Sequence, residues 1–211
     1  MNDEITILVH GFNRGRRDMA YLEAGLHREG WHTRALNLPT LFGDMNDCVA
    51  AMSAQLDDIT GSYRRVHYVA HSLGGLITLN FIRETQPQNT GHCVFIATPH
   101  GGSHLAQIAS RIPGYTRVFK PIAELQPTCA YDNCHAESGL SLGVIAGCRN
   151  SGLLGKLFLS DQSDGRVEVA SACAGAARET IVLPFGHQEI HHRPETCAQV
   201  LAFLAQGRFS R

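Results

Sequence analysis

Arg65-Val66-His67-Tyr68-Val69-Ala70-His71-Ser72-Leu73-Gly74-Gly75-Leu76-Ile77-Thr78-Leu79-Asn80-Phe81-Ile82 contains the change of period on which the fold turns. Arg65 to Ala70 is a continuous run rich in β-branched and aromatic residues, as expected of a strand covered on both faces. From Leu73 onward, Leu73, Leu76, Ile77, Leu79, Phe81 and Ile82 are apolar nearly all round a helix, which predicts that this helix is buried. Strand and helix therefore meet in an abrupt turn at Ser72. Ala70 and Gly74 flank that serine at minus two and plus two, the positions where such a turn crowds backbone and side chains together. A serine here can simply cap the helix. With a buried strand before it and a helix after it, the stronger reading is an exposed nucleophile whose neighbouring backbone N–H groups face a developing oxyanion.

The same alternation extends outward. Ile5 to Val9 reads as a buried strand ending at His10-Gly11-Phe12, and Met19, Leu22 and Leu26 follow at helical spacing until Gly30. His32 to Leu38 is a second strand stopped by Pro39, and Met45, Cys48, Val49, Met52, Leu56 and Ile59 trace one face of a longer helix. Cys93 to Ala97, Leu140 to Ala146 and Thr180 to Leu183 are further strands, whereas Val167 to Ala170 is short and ambiguous. A helix is expected from Ser103 to Ile112, and Pro194-Glu195 opens a last one with Val200, Leu201 and Leu204 on its apolar face. Strands alternating with helices predict an α/β fold, a doubly wound, mostly parallel sheet of about six strands. Its crevice belongs at the carboxyl ends of the strands, near Gly11, His71, Thr98, Asp164 and His187.

Composition narrows the function classes. The 211 residues fit one domain, 1–211. Lys plus Arg total 18 against 19 Asp plus Glu, a balance that argues against a sequence-independent nucleic-acid binder. No apolar run approaches the roughly 20 residues that span a bilayer, so no stable membrane insertion is expected. Met1-Asn2-Asp3-Glu4 is acidic and leads straight into a strand, unlike a signal peptide. Seven Cys without CxxC pairs read as free thiols in a reducing compartment, so a cytoplasmic location is expected. Cys129, Cys134 and His135 could be half a metal site, but no second pair matches and a solvated loop is the simpler reading.

Ala70-His71-Ser72-Leu73-Gly74 is the nucleophile-elbow pattern G-x-S-x-G with alanine for its first glycine. Together with strand-His10-Gly11-Phe12, Thr98-Pro99-His100-Gly101-Gly102 and a late Gly186-His187, it resembles the α/β-hydrolase fold, most closely the small bacterial lipases and esterases. The first strand would match the family's third. The resemblance implies Ser72 as nucleophile, His187 as base and the backbone N–H groups of Phe12 and Leu73 as oxyanion hole, with His191 and His192 as alternatives for the base. Ser163-Asp164-Gly165-Arg166-Val167 resembles the D-G-x-V stretch that carries the acid in bacterial lipases, which implies Asp164, with Asp161 as the alternative. His100 is expected to line the substrate crevice, and His71 to point away from the serine hydroxyl.

These residues predict a serine hydrolase acting on a small-molecule carboxylic ester through an acyl-enzyme, with no metal or organic cofactor. The segment at about 101–139 has the position of a lid or substrate wall, and Ala123-Glu124-Leu125-Gln126-Pro127 resembles a D-L-x-P stretch of lipases. Ile108, Ile112, Tyr115, Val118, Phe119 and Leu125 give it modest apolar surface, so short-to-medium acyl esters are expected rather than long triglycerides. The alternatives are thioester or amide hydrolysis or acyl transfer on the same triad, and a non-catalytic binding protein of the same fold.

Overall fold

One sheet organises the chain: β1 (Glu4–Val9), β2 (His32–Ala35), β3 (Arg65–His71), β4 (Thr90–Ile96), β5 (Ser141–Gly147) and β6 (Glu179–Leu183), in the order β2-β1-β3-β4-β5-β6. Every neighbouring pair is parallel. The chain runs outward from β1 to β2, then crosses back to β3 and proceeds to β6, so the direction of winding reverses between β1 and β3. That reversal leaves a crevice outside the carboxyl ends of those two strands. The computed structural model describes residues 3–59, 61–111, 120, 139–150, 155, 159–174 and 177–210.

Helices cover both faces. On one, α2 (Met45–Leu56) and α3 (Leu73–Thr85) bring Cys48, Met52, Leu76 and Ile77 against Ile7, Val66 and Tyr68 of the sheet. On the other, α1 (Ala20–Arg28) and α6 (Pro194–Gln206) bring Leu22, Leu26, Val200 and Phe203 against Leu8, Val69, Val94 and Ile145. Successive strand residues point to opposite faces, so Ile7 and Leu8 feed different cores and neither face can be polar. Each large side chain buried in this way contributes roughly 1.5–3 kcal/mol. At the start of α2, Asp44 and Asp47 cap each other's backbone N–H, both bonds at 3.0 Å.

Three expectations shift in detail. The second strand ends at Ala35 rather than Leu38, because the Leu38 N–H leaves the ladder to bond the His10 ring at 3.0 Å. The ambiguous Val167–Ala170 stretch becomes the helical turn α5 (Val169–Ala172), and Val167 itself is drawn into the loop around Asp164. The helix expected from Ser103 is α4 (His104–Ser110). Residues 112–119 and 121–138, with Tyr115, Ala123 to Pro127, Cys129, Cys134 and His135, lie outside the described residues. Among the described residues no helix is long and apolar enough to cross a membrane.

Candidate active site

Ser72 stands between β3 and α3 with φ +54° and ψ −126°, a conformation L-residues avoid at a cost of about 1–3 kcal/mol. Its backbone is held there from three sides. The Ser72 N–H donates to the Ile96 carbonyl at 2.9 Å, while its own carbonyl accepts from the Gly75 N–H and the Thr98 hydroxyl, both at 3.0 Å. The glycines are required by space. A Cβ at Gly74 would lie 2.6 Å from the Val9 and His10 carbonyl oxygens, and one at Gly75 would lie 2.2 Å from Thr98 Oγ1. The small-residue pattern thus lets α3 leave directly across the end of β1.

His187 follows β6, and Asp164 lies between β5 and β6. Ser72 Oγ is 3.0 Å from His187 Nε2, and His187 Nδ1 is 2.7 Å from Asp164 Oδ2. The other carboxylate oxygen, Asp164 Oδ1, accepts the backbone N–H groups of Arg166 at 2.9 Å and Val167 at 2.7 Å. Gly165 permits that tight turn with φ +91°. The His187 backbone N–H also donates to the Asp164 carbonyl at 2.9 Å, so the Asp164 and His187 loops are tied through backbone as well as side chain. Asp164 is buried and Asp161 is exposed, which separates the two candidate acids. The chain of contacts can carry a proton from the serine hydroxyl to the imidazole while the carboxylate balances the charge.

Beside Ser72, the end of β1 is fixed by two side chains. The Gly11 carbonyl accepts from Thr40 Oγ1 at 3.0 Å and from His10 Nδ1 at 3.0 Å. His10 Nε2 accepts the Leu38 N–H, which puts the ring proton on Nδ1. Burial holds the His10 pKa below the ordinary imidazole range, in keeping with a neutral ring. A trans peptide points its N–H opposite its carbonyl, so these bonds set the direction of the Phe12 N–H. Thr40 carries no motif that singles it out, because its link to Gly11 spans the β2 exit and exists only in the folded chain.

His71 points away from the hydroxyl but is not idle. Its Nε2–H donates to the His187 carbonyl at 3.0 Å, and burial, with His191 and His187 adding to it, holds its pKa well below the ordinary range. His191 and His192 turn to Asp18 instead of Ser72, His191 Nε2 at 3.1 Å from Asp18 Oδ2 and His192 Nε2 at 3.8 Å from Asp18 Oδ1. His100 is buried in the loop after β4. It is 1% exposed, its ring stacks on Phe95 at 5.9 Å and its Nδ1 lies 2.8 Å from the Ala172 carbonyl. Burial pushes the Cys48 and Cys93 thiols up to about 12, so neither competes as a nucleophile.

A sequence model described as the alpha/beta hydrolase family matches residues 6–205. Among curated proteins nothing matches the sequence. The mature lipase BlEst2 of Bacillus licheniformis is similar in structure, with a TM-score of 0.77 at 18% identity, over 97% of this chain and 91% of that one. The metagenomic carboxyl esterase MGS0156 has a TM-score of 0.70 at 14% identity, over 89% of this chain and 65% of that one. The carboxylesterase CesB of Bacillus subtilis has a TM-score of 0.61 at 14% identity, over 97% of this chain and 84% of that one. At these identities the likeness is one of fold.

Proposed function

The chain belongs to the alpha/beta hydrolase family, and on that premise we propose that it hydrolyses small carboxylic esters through an acyl-enzyme on Ser72. The observation that carries this reading is the unbroken contact chain from Ser72 Oγ through the His187 ring to Asp164, built on a strained serine. Ser72 Oγ attacks the ester carbonyl carbon as its proton passes to His187 Nε2. The resulting oxyanion is received by the N–H groups of Phe12, aimed by His10 and Thr40, and of Leu73, the first residue of α3. Asp164 orients the imidazole and stabilises its charged form. His187 then gives the proton to the departing alcohol. A water activated by the same ring attacks the acyl-enzyme, and Ser72 is regenerated with release of the acid.

Short-to-medium acyl chains are the proposed substrates, from the modest apolar content of the 101–139 segment. Two measurements test the reading. A fluorophosphonate probe should label the native protein and leave Ser72→Ala unlabelled. Across p-nitrophenyl esters and matched thioesters, kcat/KM should peak at a short-to-medium ester, and Ser72→Ala should lower kcat by a factor on the order of 10⁶. A folded Ser72→Ala protein with substantial turnover would overturn the assignment, and preference for the thioesters would move the activity to that class.

A further inference from the structure

Behind the His187 ring lies a second cluster that the ester chemistry does not use. Asp18 comes from the 3-10 turn Arg16–Met19 ahead of α1, and His191 and His192 from the 3-10 turn Ile190–His192 that follows the base. One ligand atom from each residue lies within 4.8 Å of the others. We propose that Asp18, His191 and His192 form a binding site for a zinc-class divalent cation that clamps the N-terminal turn to the loop carrying His187.

The unpaired atoms point to an ion. Asp18 Oδ2 and both ring nitrogens of His191 are buried without a hydrogen-bond partner, and His191 is 1% exposed. His191 Nε2 and Asp18 Oδ2 are only 3.1 Å apart, yet they are not aligned as a hydrogen bond. Buried polar atoms left in that state are rare and costly. His71 adds to the imbalance. Its Nε2–H is committed to the His187 carbonyl, so its lone pair is on Nδ1, also unpartnered and 4.0 Å from Asp18 Oδ2. Two acceptors therefore face each other across a buried gap, an arrangement that a cation relieves.

The donor set also selects the ion. Two imidazole nitrogens and one carboxylate oxygen suit zinc-class metals and disfavour calcium or magnesium, which prefer all-oxygen shells. Tetrahedral zinc at about 2.0–2.2 Å from such ligands places them about 3.3 Å apart. His191 Nε2 lies 3.1 Å from Asp18 Oδ2 and His192 Nε2 lies 3.8 Å from Asp18 Oδ1, and the three ligand atoms stay within 4.8 Å of one another, so a small closure onto one carboxylate oxygen reaches that spacing. The His192 side chain is 39% exposed, which gives the ion a path in and leaves its outer position to water. Arg14, whose Nε is 3.9 Å from Asp18 Oδ1, is the competing cation, and its side chain is 44% exposed and free to withdraw. The ion would act by position. It would fix the Ile190–His192 turn, and His71, stacked on His191 at 3.9 Å, would pass that constraint to the His187 carbonyl.

The experiment uses the full chain, stripped with dipicolinate and titrated with Zn²⁺ by calorimetry and with Co²⁺ by visible absorption. One equivalent should bind with Kd below about 1 µM, with a tetrahedral Co²⁺ spectrum. Zn²⁺ at a hundred times Kd should raise Tm by roughly 5–10 °C. His192→Ala, the most exposed ligand and so the least disruptive change, should weaken binding by more than about 100-fold, and Asp18→Asn should do the same. Ser72→Ala should bind Zn²⁺ like the native protein, which separates this proposal from the esterase reading. Absence of saturable binding would overturn the proposal. It fails equally if His192→Ala and Asp18→Asn, folded by circular dichroism, bind as the native chain does.

Discussion

Replacing Asp164 by asparagine should disable the base by giving it the wrong tautomer. Asp164 Oδ1 accepts two backbone N–H groups, from Arg166 and Val167, and only an oxygen can fill that position. The –NH₂ of the introduced amide is therefore forced to the Oδ2 side, facing His187 Nδ1 across what is now 2.7 Å. Two donors cannot share that gap, so His187 becomes an acceptor at Nδ1 and carries its proton on Nε2, the atom 3.0 Å from Ser72 Oγ. The ring then has no lone pair for the serine proton. Where this tautomer error has been measured in a serine hydrolase it costs about 10⁴ in kcat, or about 5.4 kcal/mol of barrier. Because the loop's own hydrogen bonds survive, Tm should change little. The assay is the initial rate with p-nitrophenyl butyrate alongside the rate of fluorophosphonate labelling, and both should fall together. Asp161→Asn, on an exposed residue of the same loop, should stay within a few-fold of native. An Asp164→Asn enzyme within tenfold of native, or an Asp161→Asn enzyme that is the more impaired, would refute the reasoning.

Gly11→Val should damage turnover far more than Phe12→Leu, because a Cβ at residue 11 sits 3.1 Å from Ser72 Cβ and 3.3 Å from the His71 carbonyl, whereas Phe12 is used through its backbone. Equal tolerance in kcat would place the oxyanion donors elsewhere. Thr40→Val removes one of the two bonds on the Gly11 carbonyl and should lower kcat by about tenfold, less than the 10²–10³ of losing a donor outright, with KM nearly unchanged. An unchanged kcat would remove Thr40 from the positioning of Phe12. Burial lowers the pKa values of His10 and His67 below 6.5, so the folded chain binds fewer protons than the unfolded one in that range. Their contribution to stability is present above pH 6.5 and is lost as pH falls below it, by up to about 1.4 kcal/mol per pH unit for each group. Melting curves should show Tm level from about pH 7.5 to 6.5 and dropping toward about pH 5, and a level profile throughout would contradict the buried, neutral state of both rings.

The sheet was legible because both of its faces are buried. β1, β3, β4 and β5 have no polar alternation to misread, and the small residues around Ser72 mark a place where a strand turns straight into a helix. The end of β2 was not legible, since what stops it is a bond from Leu38 to the ring of His10, a residue far back in the chain. Val167 reads as a strand residue by its side chain, yet its N–H is claimed by Asp164, and no local pattern records that. His100 sits in a loop motif at the crevice, but the turn rotates its ring inward onto Phe95. The Asp18–His191–His192 cluster was invisible for another reason. Its members come from opposite ends of the chain, with neither the spacing nor the cysteines that make a metal motif readable.

His187, the proposed base, comes from the rim of the sheet and Ser72, the proposed nucleophile, from its middle. β3 is paired on both sides, whereas among the described residues β6 pairs only with β5, and Val182 is 47% exposed. Edge elements open locally at a fraction of the free energy of global unfolding. Fraying of β6 would carry His187 away from Ser72 while the central strands and the helices on them stayed in place. Heat should therefore silence the protein several degrees before its circular dichroism changes, reversibly at first, so that turnover serves as a thermometer for a single strand.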